Sequence, residues 1–225
     1  MKRAGIFTIG TATTVEEARR LQSCGIDAVC AQGAEAGGHR GTFIGEPENA
    51  LVGTLSLTPQ VVDAVGIPVV AAGGISDGRA VAAVLALGAV AAQCGTAFLR
   101  AHEAGTAPAY RRALENASED ETMLTRAFSG RLARGIRNRF AVEVNDPRKH
   151  APYPYQNALT RDLRQHASRL GNADMLSLWA GQSFPLAREA SAADIVHSLM
   201  REAATAATEA ATALSRVTLP GLDSA

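Results

Sequence analysis

The residues best suited to chemistry lie between Ala31 and Gly41, where Ala-Gln-Gly-Ala-Glu-Ala-Gly-Gly-His-Arg-Gly sets four glycines around Glu35, His39 and Arg40. Glycine lets a backbone approach a ligand without a Cβ clash. An imidazole in that setting titrates near neutral pH and can hold or move a proton. Two further glycine loops follow, Gly73-Gly74-Ile75-Ser76 and Gln93-Cys94-Gly95-Thr96. Each opens into a predicted helix, so backbone N–H groups and helix N-termini converge on an anion, most simply a phosphate. Thr96 adds a hydroxyl donor. His39 is expected to be a catalytic or binding group and Glu35 an orienting one. Arg40 reads either as a contact to a phosphate or acidic partner or as an ordinary surface arginine, and Cys94, at a strand end, as core. No Walker A pattern and no Gly-x-Gly-x-x-Gly after a strand is present, which argues against a nucleotide triphosphatase or a Rossmann dinucleotide site.

The elements that must position these loops are read in chain order. Gly5 to Gly10 is a β-rich run bounded by glycines, and Thr14-Val-Glu-Glu17 is a capping box opening a helix that Gly25 ends. Asp27 to Ala31 is a second strand. Thr58-Pro59 is expected to cap and start a helix, Val69 to Ala72 is a buried strand, and Asp77 caps a helix from Gly78 to Leu87. Ala89 to Gln93 is a fourth strand, and Cys94 to Phe98 enters another helix. The β-α-β-α-β-α-β pattern demands a parallel sheet covered by helices, either doubly wound or part of a (β/α)8 barrel.

Beyond about Glu103 no further strand is expected. Ala109 to Leu114, Leu124 to Phe128 and Leu159 to Leu170 read as helices, with Ser129 to Gly135 as a basic loop between the last two. Ser191 to Leu214 reads as an alanine-rich helix with Ile195, Leu199 and Met200 on its apolar face. Ser215 to Ala225 is expected to fray.

Bulk properties narrow the partners. With 22 basic and 22 acidic residues the net charge is zero, so neither nucleic acid nor an anionic membrane is favoured. Cys24, Cys30 and Cys94 have no metal-ligand spacing and sit in apolar stretches, as expected of free thiols in the cytoplasm. Met1-Lys2-Arg3 and the short apolar run after it faintly imitate a signal peptide, but the run is too short and holds Thr8. No apolar run approaches the roughly 20 residues of a membrane span.

At its loops the chain resembles the class I nitronate monooxygenases, formerly called 2-nitropropane dioxygenases. The resemblance rests on Ala31–Gly41, Val70–Arg79 and Gln93–Phe98, with Phe128–Arg134, Tyr153-Pro-Tyr-Gln-Asn157 and Trp179-Ala-Gly-Gln-Ser183 further on, and covers nearly all of residues 4 to 202. It implies a parallel (β/α)8 TIM barrel that binds FMN non-covalently and oxidises alkyl nitronates with O2 to carbonyl compounds and nitrite. It places Gln32 and Gly37 against the flavin, and Gly74, Gln93, Cys94, Gly95 and Thr96 around its phosphate. His39 becomes the base or electrostatic partner of the nitronate.

The family is longer at its N-terminal end. The resemblance therefore implies that residues 1–102 are the C-terminal half of the barrel, strands 5 to 8, followed by a mainly helical region over 103–225. Such a half would expose the edges Ile6–Ile9 and Ala89–Gln93, to be covered by homodimerisation or by an N-terminal barrel half. Two other readings stand beside this one: an FMN- and NADH-dependent enoyl-acyl-carrier-protein reductase, which shares the Glu-Ala-Gly-Gly-His loop, and an FMN-binding half-barrel without turnover.

Overall fold

The structure, a computed structural model, describes residues 4–217. Met1-Lys2-Arg3 and Thr218–Ala225, on which the leader-like start and most of the frayed tail fall, lie outside the described residues.

Four strands form a parallel sheet in the order β1 (Ile9–Ala12), β2 (Ala28–Gln32), β4 (Val69–Ala72) and β5 (Ala91–Gln93). Helices α1 (Val15–Ser23), α2 (Thr54–Ala64) and α3 (Gly78–Ala86) connect them. The register sets Thr11 beside Cys30, Cys30 beside Val70, and Gln32 beside Ala72. Alternation along each strand then decides what faces where. Val29, Ala31 and Val69 bury against Ala18, Leu57 and Val61 of the helices. Each such valine or leucine contributes about 1.5–3 kcal/mol of hydrophobic stabilisation. The opposite face carries Cys30, Gln32 and Val70 and has no helical cover. The outer strands end as edges, with Ile6, Phe7 and Ile9 at one and Val90 at the other all more than half exposed.

Several helix boundaries follow the local signals. Thr14 Oγ1 accepts from Glu17 N, Asp77 Oδ1 from Ala80 N, and Ser191 Oγ from Asp194 N, as expected of N-caps. Two signals mislead. The capping box closes one way only: the Glu17 carboxylate turns inward, fully buried, and accepts from Thr13 N and Oγ1 and from Phe43 and Ile44 N. Helix α2 begins at Thr54, a turn before Thr58-Pro59, because the Glu35 carboxylate caps Thr54 N from another loop. Pro59 consequently lies inside the helix.

The C-terminal region corrects the sequence reading more strongly. Leu124–Phe128 is not a helix and Ser129–Gly135 is not wholly loop. Strands β6 (Thr122–Thr125) and β7 (Ala133–Ile136) pair antiparallel, and β7 also pairs with β3, the two residues Gly38–His39. Short mixed runs of four residues carry no decisive period, so long-range pairing settled them. Cys94–Phe98 holds one 3-10 turn, Thr96–Phe98, rather than a full helix. The expected helices appear as α4 (Pro108–Asn116), α6 (Tyr155–Leu170) and α7 (Ala192–Ser215), with a short α5 (Arg139–Glu143) that was not foreseen. Helix α7 packs along α3 through Ile195, Leu199 and Ala203. Met200, expected on that apolar face, is 60% exposed at its margin. No helix among the described residues is long and apolar enough to cross a membrane.

Candidate active site

The three glycine loops meet at the C-terminal edge of the parallel sheet, where ligands bind in parallel α/β proteins. They enclose a cavity of about 300 Å³, within the range of small-molecule sites. Of the residues singled out beforehand, Gln32, Gly37, Gly74, Gln93, Gly95 and Thr96 line it. Trp179, Gly181 and Ser183 close it from the far end of the chain.

Gln32 and Gln93 share the uncovered face of the sheet. Gln32 Nε2 donates to His39 O and its Oε1 accepts from Gly41 N, so the side chain spans the base of its own loop. Cys30, on the same face, has its thiol pushed up to about 11 by burial and is inert as a nucleophile at neutral pH. Cys94 departs from the expectation set by the resemblance. One residue after Gln93, its side chain lies on the other side of the strand, in the apolar cluster with Val81, Phe98 and Leu199.

The anion-binding expectation is refined. The start of α3 is occupied: Asp77 caps it and pairs with Arg79, and Gly78 N donates to Glu202. Burial opposes ionisation of Asp77, but hydrogen bonds from Arg79 and Ala80 outweigh it and hold its carboxyl below the ordinary range. The donors that remain lie in the loops. The N–H groups of Gly74, Ile75, Gly95 and Thr96 have no hydrogen-bond partner among the described residues. Thr96 Oγ1 accepts from Gly181 N at 2.9 Å, which leaves its hydroxyl proton free. Gly37 must be glycine, since a Cβ there would stand 2.4 Å from Gly181 N. A glycine-walled cradle with four unpaired N–H groups and one hydroxyl matches a phosphate monoester such as that of FMN.

His39, exposed on β3, does not itself line the cavity but stands at its rim, next to Gly38 and against Trp179, which do. Its Nε2 lies 2.7 Å from Ser129 Oγ, and its ring centre is 5.5 Å from that of Trp179. Partial desolvation, then the charges of Arg131 and Arg164, push its pKa below the ordinary imidazole value. Both effects favour the neutral ring. Trp179 is fixed in turn by an edge contact with Phe128 and by the Tyr110 hydroxyl on its carbonyl.

Arg40 is neither a phosphate contact nor a surface residue. It is 1% exposed and donates to the carbonyls of Gly33, Gln32 and Ala50. Arg134, likewise buried, donates to Ala34 O and Thr122 Oγ1. Two guanidinium groups thus brace the glycine loop from beneath, with Glu35 holding it to α2. Ser129, Tyr110 and the wall-forming role of Trp179 were missed from the sequence. The Phe128–Arg134 and Trp179–Ser183 stretches stood out as motifs, but nothing local said that they meet at His39.

Fold and site together define a parallel α/β protein with an anion-suited cavity at the C-terminal edge of its sheet and an imidazole at the rim. The chain belongs to the nitronate monooxygenase family, whose model matches residues 1–202. It is 48% identical over 205 residues to a probable nitronate monooxygenase of Staphylococcus aureus, covering 90% of this chain and 58% of that protein. Among solved structures, a nitroalkane oxidase from Streptomyces ansochromogenes superposes with a TM-score of 0.88 at 50% identity, over 93% of this chain and 60% of that one. FabK from Thermotoga maritima gives 0.78 at 33% identity, over 94% and 65%. The chain thus spans somewhat under two thirds of the length of these relatives.

Proposed function

We propose that this chain carries the FMN site of an enzyme that oxidises alkyl nitronates with O2 to carbonyl compounds and nitrite. The observation that carries the reading is the imidazole of His39, hydrogen-bonded to Ser129 and packed on Trp179, at the rim of a cavity walled by Gly37, Gly74 and Gly95. In this reading Gly74, Gln93, Gly95 and Thr96 hold the phosphate, and Gln32 and Gly37 face the isoalloxazine. Cys94 serves through its backbone alone. FMN, when bound, supplies the electron acceptor that links nitronate to O2. His39 accepts the α-proton of the nitroalkane and so keeps the substrate in its nitronate form. Arg131 and Arg164, the charges that help depress its pKa, favour that anion.

The four parallel strands are, in this proposal, strands 5 to 8 of a (β/α)8 barrel. Their sequential order, the helices on one face only and the exposed apolar edges support that reading. An N-terminal barrel half, or a second copy of the chain, would cover the open face. The free cysteines accord with a cytoplasmic setting.

The enoyl-acyl-carrier-protein reductase alternative has weaker support, since FabK is 33% identical where the nitroalkane oxidase is 50%. One assay separates them. The flavin-loaded protein should release nitrite from propyl-2-nitronate in air and should not oxidise NADH with an enoyl thioester. The reverse result refutes the proposal, and flavin that is never bleached by the nitronate without oxygen leaves the turnover-free half-barrel.

A further inference from the structure

Ser129 is 1% exposed, and its hydroxyl meets three polar atoms. These are Arg131 O at 3.1 Å, Arg131 N at 3.2 Å and His39 Nε2 at 2.7 Å. A serine hydroxyl has one proton to give and two lone pairs to receive. Arg131 N–H can only donate, so it takes one lone pair. The proton then goes either to Arg131 O or to the imidazole. Arg131 O accepts no other hydrogen bond among the described residues, and burial excludes water from the hydroxyl. The arrangement that leaves nothing unpaired sends the proton to Arg131 O and receives a proton from His39 Nε2.

We infer that Ser129 is a positioning residue that fixes the Nε2–H tautomer of His39 and thereby assigns the proton-accepting lone pair to Nδ1. None of the described residues hydrogen-bonds Nδ1. When Nδ1 takes a proton, the Nε2–H bond to Ser129 remains and becomes charge-assisted. No hydroxyl has to turn, so the site pays no rearrangement at the moment of transfer. The serine is itself held by the second region of the chain. Thr160 Oγ1 of α6 donates to Phe128 O at 2.5 Å and Gln156 Nε2 to Ala127 O at 2.6 Å, which locks the turn that carries it. The tautomer of a base at the rim of the first sheet is thus set from a helix more than a hundred residues later. The charged groups acting on the ring are Arg131, on the same turn, and Arg164, on α6.

The test begins with the isolated apo protein and needs no turnover. Long-range 1H–15N spectra of His39 should show a protonated Nε2 and a bare Nδ1 above its pKa; a protonated Nδ1 overturns the inference. In Ser129→Ala the imidazolium loses its acceptor, so the His39 pKa should fall, by roughly half a pH unit. Ser129→Thr should restore it. A rise in Ser129→Ala would mean that the hydroxyl had been donating to the ring, and overturns the inference. An unchanged far-ultraviolet circular dichroism spectrum and urea midpoint serve as the control for folding, and the wild-type tautomer decides the matter if the variant fails it. The kinetic arm rests on the nitronate reading: kcat of Ser129→Ala should drop about tenfold with KM nearly unchanged. A confirmed tautomer with unmoved kcat overturns Ser129 as a positioning residue, whereas failure of the nitronate reading would show as wild-type protein that releases no nitrite, so the two failures are distinguishable.

Discussion

The imidazole of His39 and the indole of Trp179 lie 5.5 Å apart at a 53° tilt, although 140 residues separate them in the chain. One belongs to the loop after a parallel strand; the other comes from the segment that closes the cavity over it. Trp179 is the chain's single tryptophan, so all indole emission comes from this site. A protonated imidazole quenches a neighbouring indole. Emission should therefore drop on acidification with a midpoint below 6.5, the ordinary imidazole value from which His39 is shifted down. Nitronate oxidation should keep its neutral-His39 form down to the same midpoint and fail beneath it. A midpoint above 6.5 would show that burial and the charges of Arg131 and Arg164 do not govern the ring.

Replacing His39 by asparagine keeps a polar side chain but removes the basic nitrogen. Turnover should fall about 10²–10⁴-fold, the ordinary worth of a positioned acid–base group. Flavin affinity should change little, since the imidazole stands at the rim and not in the phosphate cradle. Equal losses in turnover and in flavin retained through gel filtration would remove His39 from the chemistry.

The two cradle glycines should resist enlargement for different reasons. Gly74 sits at φ +70, where a β-branched residue is badly strained, and an added Cβ would meet Glu35 Cβ at 3.2 Å. Gly74→Val should release FMN and cost roughly 1–3 kcal/mol of stability through that strain. At Gly37 the obstruction is backbone, Gly181 N and Ala180 C, within 2.5 Å of the new atom. Gly37→Ala should push the Trp179–Ser183 segment away and lose roughly 1–3 kcal/mol of stability together with the cofactor. Urea midpoints and flavin absorbance read both; full flavin retention in Gly74→Val would exclude that loop from the phosphate site.

Glu17 should make stability depend on acidity. Burial alone would raise its pKa, but the donors from Phe43, Thr13 and Ile44 outweigh that and leave it below the ordinary carboxylate value. A depressed folded-state pKa contributes stability that is complete above the unfolded value and disappears as pH falls through the folded one. Glu17→Gln should cost about 1–3 kcal/mol at pH 7 by misdirecting one of its buried oxygens. It should also flatten the loss of stability at low pH. Parallel curves of urea midpoint against pH for the two proteins would count against this role.

The edges of legibility are instructive. Asp77 and Ser191 were readable as caps because the bond each makes spans three residues. Arg40 was ambiguous because its partners, the carbonyls of Gly33, Gln32 and Ala50, become neighbours only once the loop has folded over it. Glu17 fitted a local capping box, yet tertiary donors from Phe43 and Ile44 claimed its carboxylate instead. Leu124–Phe128 looked helical because four strand residues hold too little pattern to outvote their neighbours, and β7 was hidden by an arginine, Arg134, that the fold buries.

By itself the sequence determined the parallel α/β framework, the three glycine loops, His39 as the titratable group beside them and the family resemblance that joins them to FMN. Those features are written in contiguous residues: apolar runs of strand length, glycines at the turns, and caps within reach of their own helix. Tertiary structure decided what those residues touch. It set Ser129 and Trp179 against His39, filled the start of α3 with Asp77 and Glu202, and left the N–H groups of Gly74, Ile75, Gly95 and Thr96 without a partner among the described residues. It also turned Cys94 away from the cavity that Gln93 and Gly95 line. Such contacts join positions some ninety to 140 residues apart, and no local period encodes them, because they depend on the path of the whole chain.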